Sequence, residues 1–107
     1  MQWIDLSHNY LEELNEELTL FPNLKTLYLH CNYIIDMNQF IKLKNLSMLK
    51  SLTVHGNPIV RIPNFRLYLI DIFPNLKKLD TVLVSKKEKD NSKVWIHQFK
   101  YKKLPIY

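Results

Sequence analysis

Histidine and cysteine are the side chains in this 107-residue sequence with the widest chemical range, and three of the four histidines recur at regular intervals. His8, His30, His55 and the single cysteine, Cys31, all come just after a short apolar segment. Imidazole and thiolate together suit zinc. His30 and His55, however, stand one residue earlier in their units than His8 and Cys31. On a regular strand alternate residues face opposite sides, so the four would converge only through a distorted turn. No metal site is therefore expected. Cys31 beside a histidine could be a nucleophile, but no motif places the third group that would orient the pair. Gly56 is the only glycine, which leaves no phosphate-cradling loop. Glu12, Glu13, Glu16 and Glu17 read as one solvated face. The sequence predicts no catalytic residue and no cofactor.

The elements that position these residues follow from a repeat. The template L-x-x-L-x-L-x-x-N-x-L is filled by Met1, Ile4, Leu6, Asn9 and Leu11, again by Leu24, Leu27, Leu29, Asn32 and Ile34, and again by Leu49, Leu52, Val54, Asn57 and Ile59. Leu76 and Leu79 begin a fourth unit that degenerates. The units are spaced by 23, 25 and 27 residues. Positions four and six point the same way from a short strand and enter the core. Successive strands then stack in parallel about 4.8 Å apart. The asparagine falls where the chain leaves the strand, and its amide can bond backbone groups that no neighbouring strand reaches. The expected architecture is α/β, a curved parallel-sheet solenoid. Leu14, Leu18, Phe21, Met37, Ile41 and Leu46 are its expected convex anchors. Pro22 and Pro74 each lead, through asparagine and leucine, into a strand.

Solenoid ends need covering. At the C-terminal end, Asn64 is the expected N-cap of a helix with a Phe65, Leu69, Ile72 stripe, ended by Pro74. Ser85 and Glu88 read as a capping box opening a second helix, on which Trp95 and Phe99 lie four apart. The expected organisation is repeats and cap over 1–85 (units near 1–23, 24–48, 49–75 and 76–85), a helix over 86–99, and a basic extended tail over 100–107. At the other end nothing precedes the first strand. A mobile terminus, a partner on the edge and further sequence ahead of Met1 all remain open.

Charge is unevenly placed. Residues 1–85 hold eight Lys/Arg and eight Asp/Glu, whereas 86–107 hold seven lysines against Glu88 and Asp90. No apolar run approaches the roughly 18 to 20 residues of a membrane span. One cysteine allows no internal disulfide, a staple that small extracellular domains usually need, so a cytoplasmic protein is expected.

The repeats and the C-terminal pattern (Asn57-Pro58-Ile59, Asn64-Phe65-Arg66, then Phe73 through Leu79-Asp80) resemble leucine-rich repeats of the phosphatase-regulator class over residues 1 to about 96. That resemblance implies a short leucine-rich-repeat solenoid with a helical C-terminal cap. Relatives in the class include a light chain of outer-arm dynein, a phosphatase regulator and the spliceosomal A-prime protein. Within the class, the runs around Leu27-Tyr28-Leu29-His30 and Leu52 to Pro58, and the lysine-rich approach to Val94-Trp95, are similar to a protein of ciliated cells. This implies a non-catalytic axonemal component. The chain departs from the class in having fewer repeats and no N-terminal cap.

Binding is expected on the concave face, at the variable strand positions Trp3, Asp5, Lys25, Tyr28, His30, Lys50, Thr53, His55, Lys77 and Asp80. These predict a lysine row along one margin, and an aromatic and hydroxyl centre bounded by two carboxylates. A second surface is the basic tail, Lys100, Tyr101, Lys102, Lys103 and Tyr107, suited to an acidic partner such as tubulin. The expected partners are protein subunits of a ciliary or other microtubule-associated assembly. The alternatives are an adaptor in a ribonucleoprotein particle and a regulatory subunit of a phosphatase or motor. The lack of an RNA-binding aromatic signature weighs against direct nucleic-acid contact.

Overall fold

The structure is a computed structural model that describes residues 2–102, with side chains through residue 97. Three strands, β1 (Trp3–Asp5), β2 (Thr26–Tyr28) and β3 (Ser51–Thr53), stack in parallel, followed by β4 (Lys78–Leu79). The register pairs Ile4 with Leu27, Leu27 with Leu52, and Leu52 with Leu79. One template position therefore runs straight across the sheet. A fifth strand, β5 (Val82–Leu83), turns back antiparallel on β4 and was not legible in the repeat. Asp80, in the left-handed region at φ 56°, makes that reversal. An antiparallel strand on the last parallel edge ends the repeat, because it cannot seed another unit in the same direction.

Each unit returns along the convex side by a short helix or turn. Glu16–Leu20 and Pro58–Arg61 are 3₁₀ turns, and α1 is Asn38–Ile41. Leu14, Leu18, Met37 and Leu46 are buried as expected. Phe21 and Ile41 instead face solvent, while Phe40 and Leu43 are fully buried in their place. The helical turn at Asn38 sets this phase, and residues three apart share its inner face. The chain enters each strand by the same tight turn, with Leu24, Leu49 and Leu76 donating their amides to Phe21, Leu46 and Phe73.

The asparagines supply what short strands leave unsatisfied. Asn32 Oδ1 accepts from the amides of Asn9 (2.8 Å) and Leu11 (3.0 Å), while its Nδ2 donates to the carbonyls of Leu6 and Leu29. Asn57 likewise accepts from Ile34 and donates to Leu29 and Val54. Both side chains are 2% exposed. The residue before each asparagine, His8, Cys31 or Gly56, has φ between 58° and 74°, so the chain corners there in the left-handed region. At Gly56 a side chain would also collide, since a Cβ would lie 2.9 Å from Cys31 Sγ.

Beyond the third unit, α2 (Phe65–Ile72) and α3 (Lys86–Lys102) close the C-terminal end. Asn64 precedes α2 at φ 64° and makes no side-chain cap, so that part of the expectation is corrected. A left-handed backbone turns the residue's side chain away from the first helical amides. Ser85 caps α3 as expected, its Oγ accepting from Glu88 N–H. The Glu88 carboxylate does not complete a capping box. It forms a bidentate pair with Arg66, Oε2 to Nε at 2.7 Å and Oε1 to Nη2 at 2.9 Å, while Arg66 Nη1 donates to the Leu79 carbonyl. One guanidinium thus pins α3, α2 and β4 together. α3 also runs three residues past its expected end at 99, so Lys100, Tyr101 and Lys102 belong to its backbone rather than to an extended tail. Residues 103–107 lie outside the described residues.

Three outcomes follow for urea unfolding. Asn32→Ala strands the Asn9 and Leu11 amides and the Leu6 carbonyl, while Leu29 keeps its bond from Asn57, and should cost about 2–4 kcal/mol, and Gly56→Ala about 1–2 kcal/mol or more from its corner conformation. The Glu88 carboxyl is held below its ordinary value of 4.5, first by the Arg66 hydrogen bonds. Its contribution is therefore complete above 4.5 and lost as the pH falls through the lowered folded value. Glu88→Gln should lower the midpoint at neutral pH and flatten that acid limb, which parallel titrations of both proteins would read.

Candidate functional site

The outer face of the sheet is built from the residues that alternate with the buried leucines. In register across it run Trp3, Thr26, Ser51 and Lys78, then Asp5, Tyr28 and Thr53. Lys25, Lys50 and Lys77 precede the strands and are tied through their backbones, Lys50 N–H to the Lys25 carbonyl and Lys77 N–H to the Lys50 carbonyl, both 2.8 Å. The expected lysine row therefore exists as a backbone-ordered margin. Trp3 is 62% exposed at the edge of the face, and Tyr28 is half-buried at its centre.

Opposite the lysines lies a histidine column. His30 and His55 stack with ring centroids 4.6 Å apart and planes 10° from parallel. Tyr28 and His8 each meet His30 edge-on. The sequence reading placed His8 on the opposite side of the strand. The left-handed corner at His8 swings it back, to 5.4 Å between ring centroids. Thr53 Oγ1 accepts from Leu29 N–H and lies 2.7 Å from His30 Nδ1, so its hydroxyl proton can be donated to a neutral His30. Burial, then the neighbouring His55 and His8, hold the His30 imidazole below its ordinary value of 6.5.

The two carboxylates do not bound the face as free charges. Asp5 Oδ1 accepts from both the amide and the hydroxyl of Ser7, which lowers the Asp5 carboxyl from its ordinary value. Asp80 Oδ1 accepts from the amides of Val54 (2.8 Å) and His55 (2.9 Å) and meets His55 Nδ1 at 3.1 Å. Asp80 thus finishes the last turn of the ladder where no fourth asparagine exists. That role was missed because the fourth template had already degenerated. The sequence reading likewise gave no place to the stacked pair Tyr10 and Tyr33, 5.7 Å between centroids, although their spacing equals one repeat.

Among the described residues no group of three or more His, Cys, Asp or Glu is placed to hold a metal ion. Cys31 is a half-buried free thiol beneath Gly56. The buried polar side chains among the described residues, Asn32, Asn57 and Ser92, all bond to backbone. No described helix is long and apolar enough to cross a membrane. Of the tail residues, Lys100, Tyr101 and Lys102 lie on α3, and Lys103 and Tyr107 lie outside the described residues.

A family model described as leucine-rich repeat matches residues 1–105. Leucine-rich repeat-containing protein 51 of Bos taurus is 40% identical over 95 residues, covering 89% of this chain and 50% of that protein, and the Homo sapiens protein is 38% identical over the same shares. The chain thus spans about half the length of the curated relatives it matches. Among solved structures, the crystal structure of the Drosophila melanogaster SNF/U2A' complex contains a chain that superposes with a TM-score of 0.87 at 22% identity. The match covers 97% of this chain and 63% of that one.

The histidine column makes a direct prediction for an NMR titration of the imidazole ring protons. His30 should titrate below 6.5, and both His8→Ala and His55→Ala should move its midpoint upward. Because the folded value is the lowered one, the neutral ring favours the fold, and this contribution is lost as the pH falls below 6.5.

Proposed function

This chain belongs to the leucine-rich repeat family, and from that premise we propose that it is a non-catalytic protein-binding subunit whose outer sheet face receives its partner. The observation that supports this is the register: Lys25, Lys50 and Lys77 form one margin, Tyr28 stands in a central row with Asp5 and Thr53, and His30 and His55 stack along the opposite margin. Such a strip fits a segment with acidic side chains along one side and an apolar side chain set on Tyr28 and Trp3. Tyr and Trp offer large contact area at low entropic cost, the property of residues that dominate binding energy.

The assembly we infer is a structural one of the microtubule-associated kind, with the axoneme as its site and tubulin or an axonemal protein as the acidic partner. This rests on the likeness to leucine-rich repeat-containing protein 51 and on what that resemblance implies. The lysine-rich segment from Lys86 onward adds positive charge that suits the same partner. A second reading, an adaptor within a ribonucleoprotein particle, is favoured by the superposition on a chain of the SNF/U2A' complex. In that reading the outer face still holds protein. A regulator of a phosphatase or motor would use the same strip.

Affinity capture from ciliated cells separates these readings. Tyr28→Ala combined with Lys50→Glu should reduce recovery of the partner by roughly tenfold or more, with an unchanged urea midpoint. Recovery of tubulin or axonemal proteins that survives ribonuclease supports the first reading, whereas release by ribonuclease supports the second. Equal recovery by the folded double variant would remove the outer face as the binding surface.

A further inference from the structure

We propose that the corner ridge carrying Tyr33 is a docking site for a proline-rich segment of a partner protein, one in the polyproline II conformation with an acidic residue beside its prolines. The site is separate from the outer sheet face and would stand if the reading of that face failed. The ridge lies where each unit turns off its strand, at the residue after the asparagine. Tyr10, Tyr33 and Pro58 occupy that place in successive units. Tyr33 is 52% exposed, although its backbone is fixed by the bond from its amide to the Leu11 carbonyl. Its ring stacks on Tyr10, 5.7 Å between centroids and 15° from parallel.

Tyr33 is a wall of two open clefts. One, of about 280 Å³, is lined by Tyr33 together with Gly56, Pro58, Val60 and Arg61 of the third unit. It lies wholly within the second and third units. The other, of about 230 Å³, sets Tyr33 and Gly56 with Cys31, His8 and Tyr10. Gly56 belongs to both, and at φ 74° it turns the chain without a side chain to fill either. Each cleft is below the roughly 300–1,000 Å³ of small-molecule pockets and suits a single side chain of a bound peptide.

The hydrogen-bonding groups left on the ridge specify the occupant. Its backbone is committed: Ile34 N–H donates to Asn57 Oδ1 and Ile59 N–H to the Ile34 carbonyl, so it offers no continuous edge to an added strand. Among the described residues the Tyr10 and Tyr33 hydroxyls bond to nothing, and Arg61 forms no ion pair. At the template place of Arg61 the second unit has Asp36, whose carboxylate accepts from Asn38 N–H, and no carboxylate lines either cleft. The ridge therefore presents O–H and N–H donors and one positive charge beside aromatic and proline faces. An α-helix has its carbonyls bonded within itself. A polyproline II segment has no internal hydrogen bonds, so its carbonyls are free to accept, and its rings are ordered at low entropic cost. Its prolines fill the clefts beside Tyr33, its carbonyls accept from the two phenols, and its carboxylate meets Arg61.

The test titrates the full chain with synthetic octapeptides capped at both ends and reads NMR chemical shifts. A peptide of seven prolines and one aspartate should give saturable shifts at Tyr33, Gly56 and Arg61. The same peptide with alanine in place of proline should bind roughly tenfold more weakly. Tyr33→Ala should weaken the proline peptide about tenfold while the urea midpoint of the chain is unchanged. Arg61→Ala should abolish the advantage of the aspartate peptide over octaproline and leave octaproline binding as it was. No saturable shift at Tyr33 would overturn the proposal, as would equal affinity for the alanine peptide or for the Tyr33→Ala chain. Saturation of the same resonances by oligouridylate, with none by the proline peptide, would assign the ridge to single-stranded nucleic acid instead.

Discussion

Strands of two or three residues cannot satisfy the backbone that leaves them, and the side-chain amides of Asn32 and Asn57 make up the deficit. Each amide reaches groups in two units at once, so it fixes the corner of its own unit and the spacing to the one before. The buried leucines supply the larger share of stabilisation through apolar burial, but burial alone is non-directional. The hydrogen-bonded corner is what sets one leucine above the next. It also demands the left-handed backbone at His8, Cys31 and Gly56. The fourth unit has no asparagine at this place, and Asp80 instead accepts from the amides of Val54 and His55 in the third.

A ladder with a direction gives a molecule with unlike ends. At the C-terminal end β5 reverses on β4, and the Arg66–Glu88 pair holds α3 against α2. Tyr68 and Trp95 meet edge-on between those two helices. At the β1 end Leu6 and Leu11 are half-buried, whereas their counterparts Leu29, Val54, Ile34 and Ile59 are fully buried.

The outer face is left to the residues that the core does not use. Its lysines are spaced by the sheet and its histidines stack because the sheet brings position seven of adjacent units together. Side chains that looked available in sequence are partly committed: Asp5 to Ser7, Asp80 to the β3 corner, and Thr53 to Leu29 and His30. The strip that remains is cationic and aromatic, its positions spaced by the sheet.

The sequence by itself determined the number of units, the strand register, the inward leucines and the asparagine corners, because each follows from a period that the chain repeats. It also placed Ser85 as a cap and the lysines as a row. Only the tertiary structure decided what happens where the period fails. The phase of the convex turn put Phe40 inside and Ile41 outside. The reversal at Asp80 added β5, and Glu88 left its capping role for Arg66 because α2 brings a guanidinium within reach. His8 joined the histidine column through a positive φ that no pattern of residue types announces. Periodic contacts are written locally in every unit. Contacts at the end of the repeat, such as Arg66 with Glu88 or Val54 with Asp80, join residues that no period relates and exist only once the chain has folded.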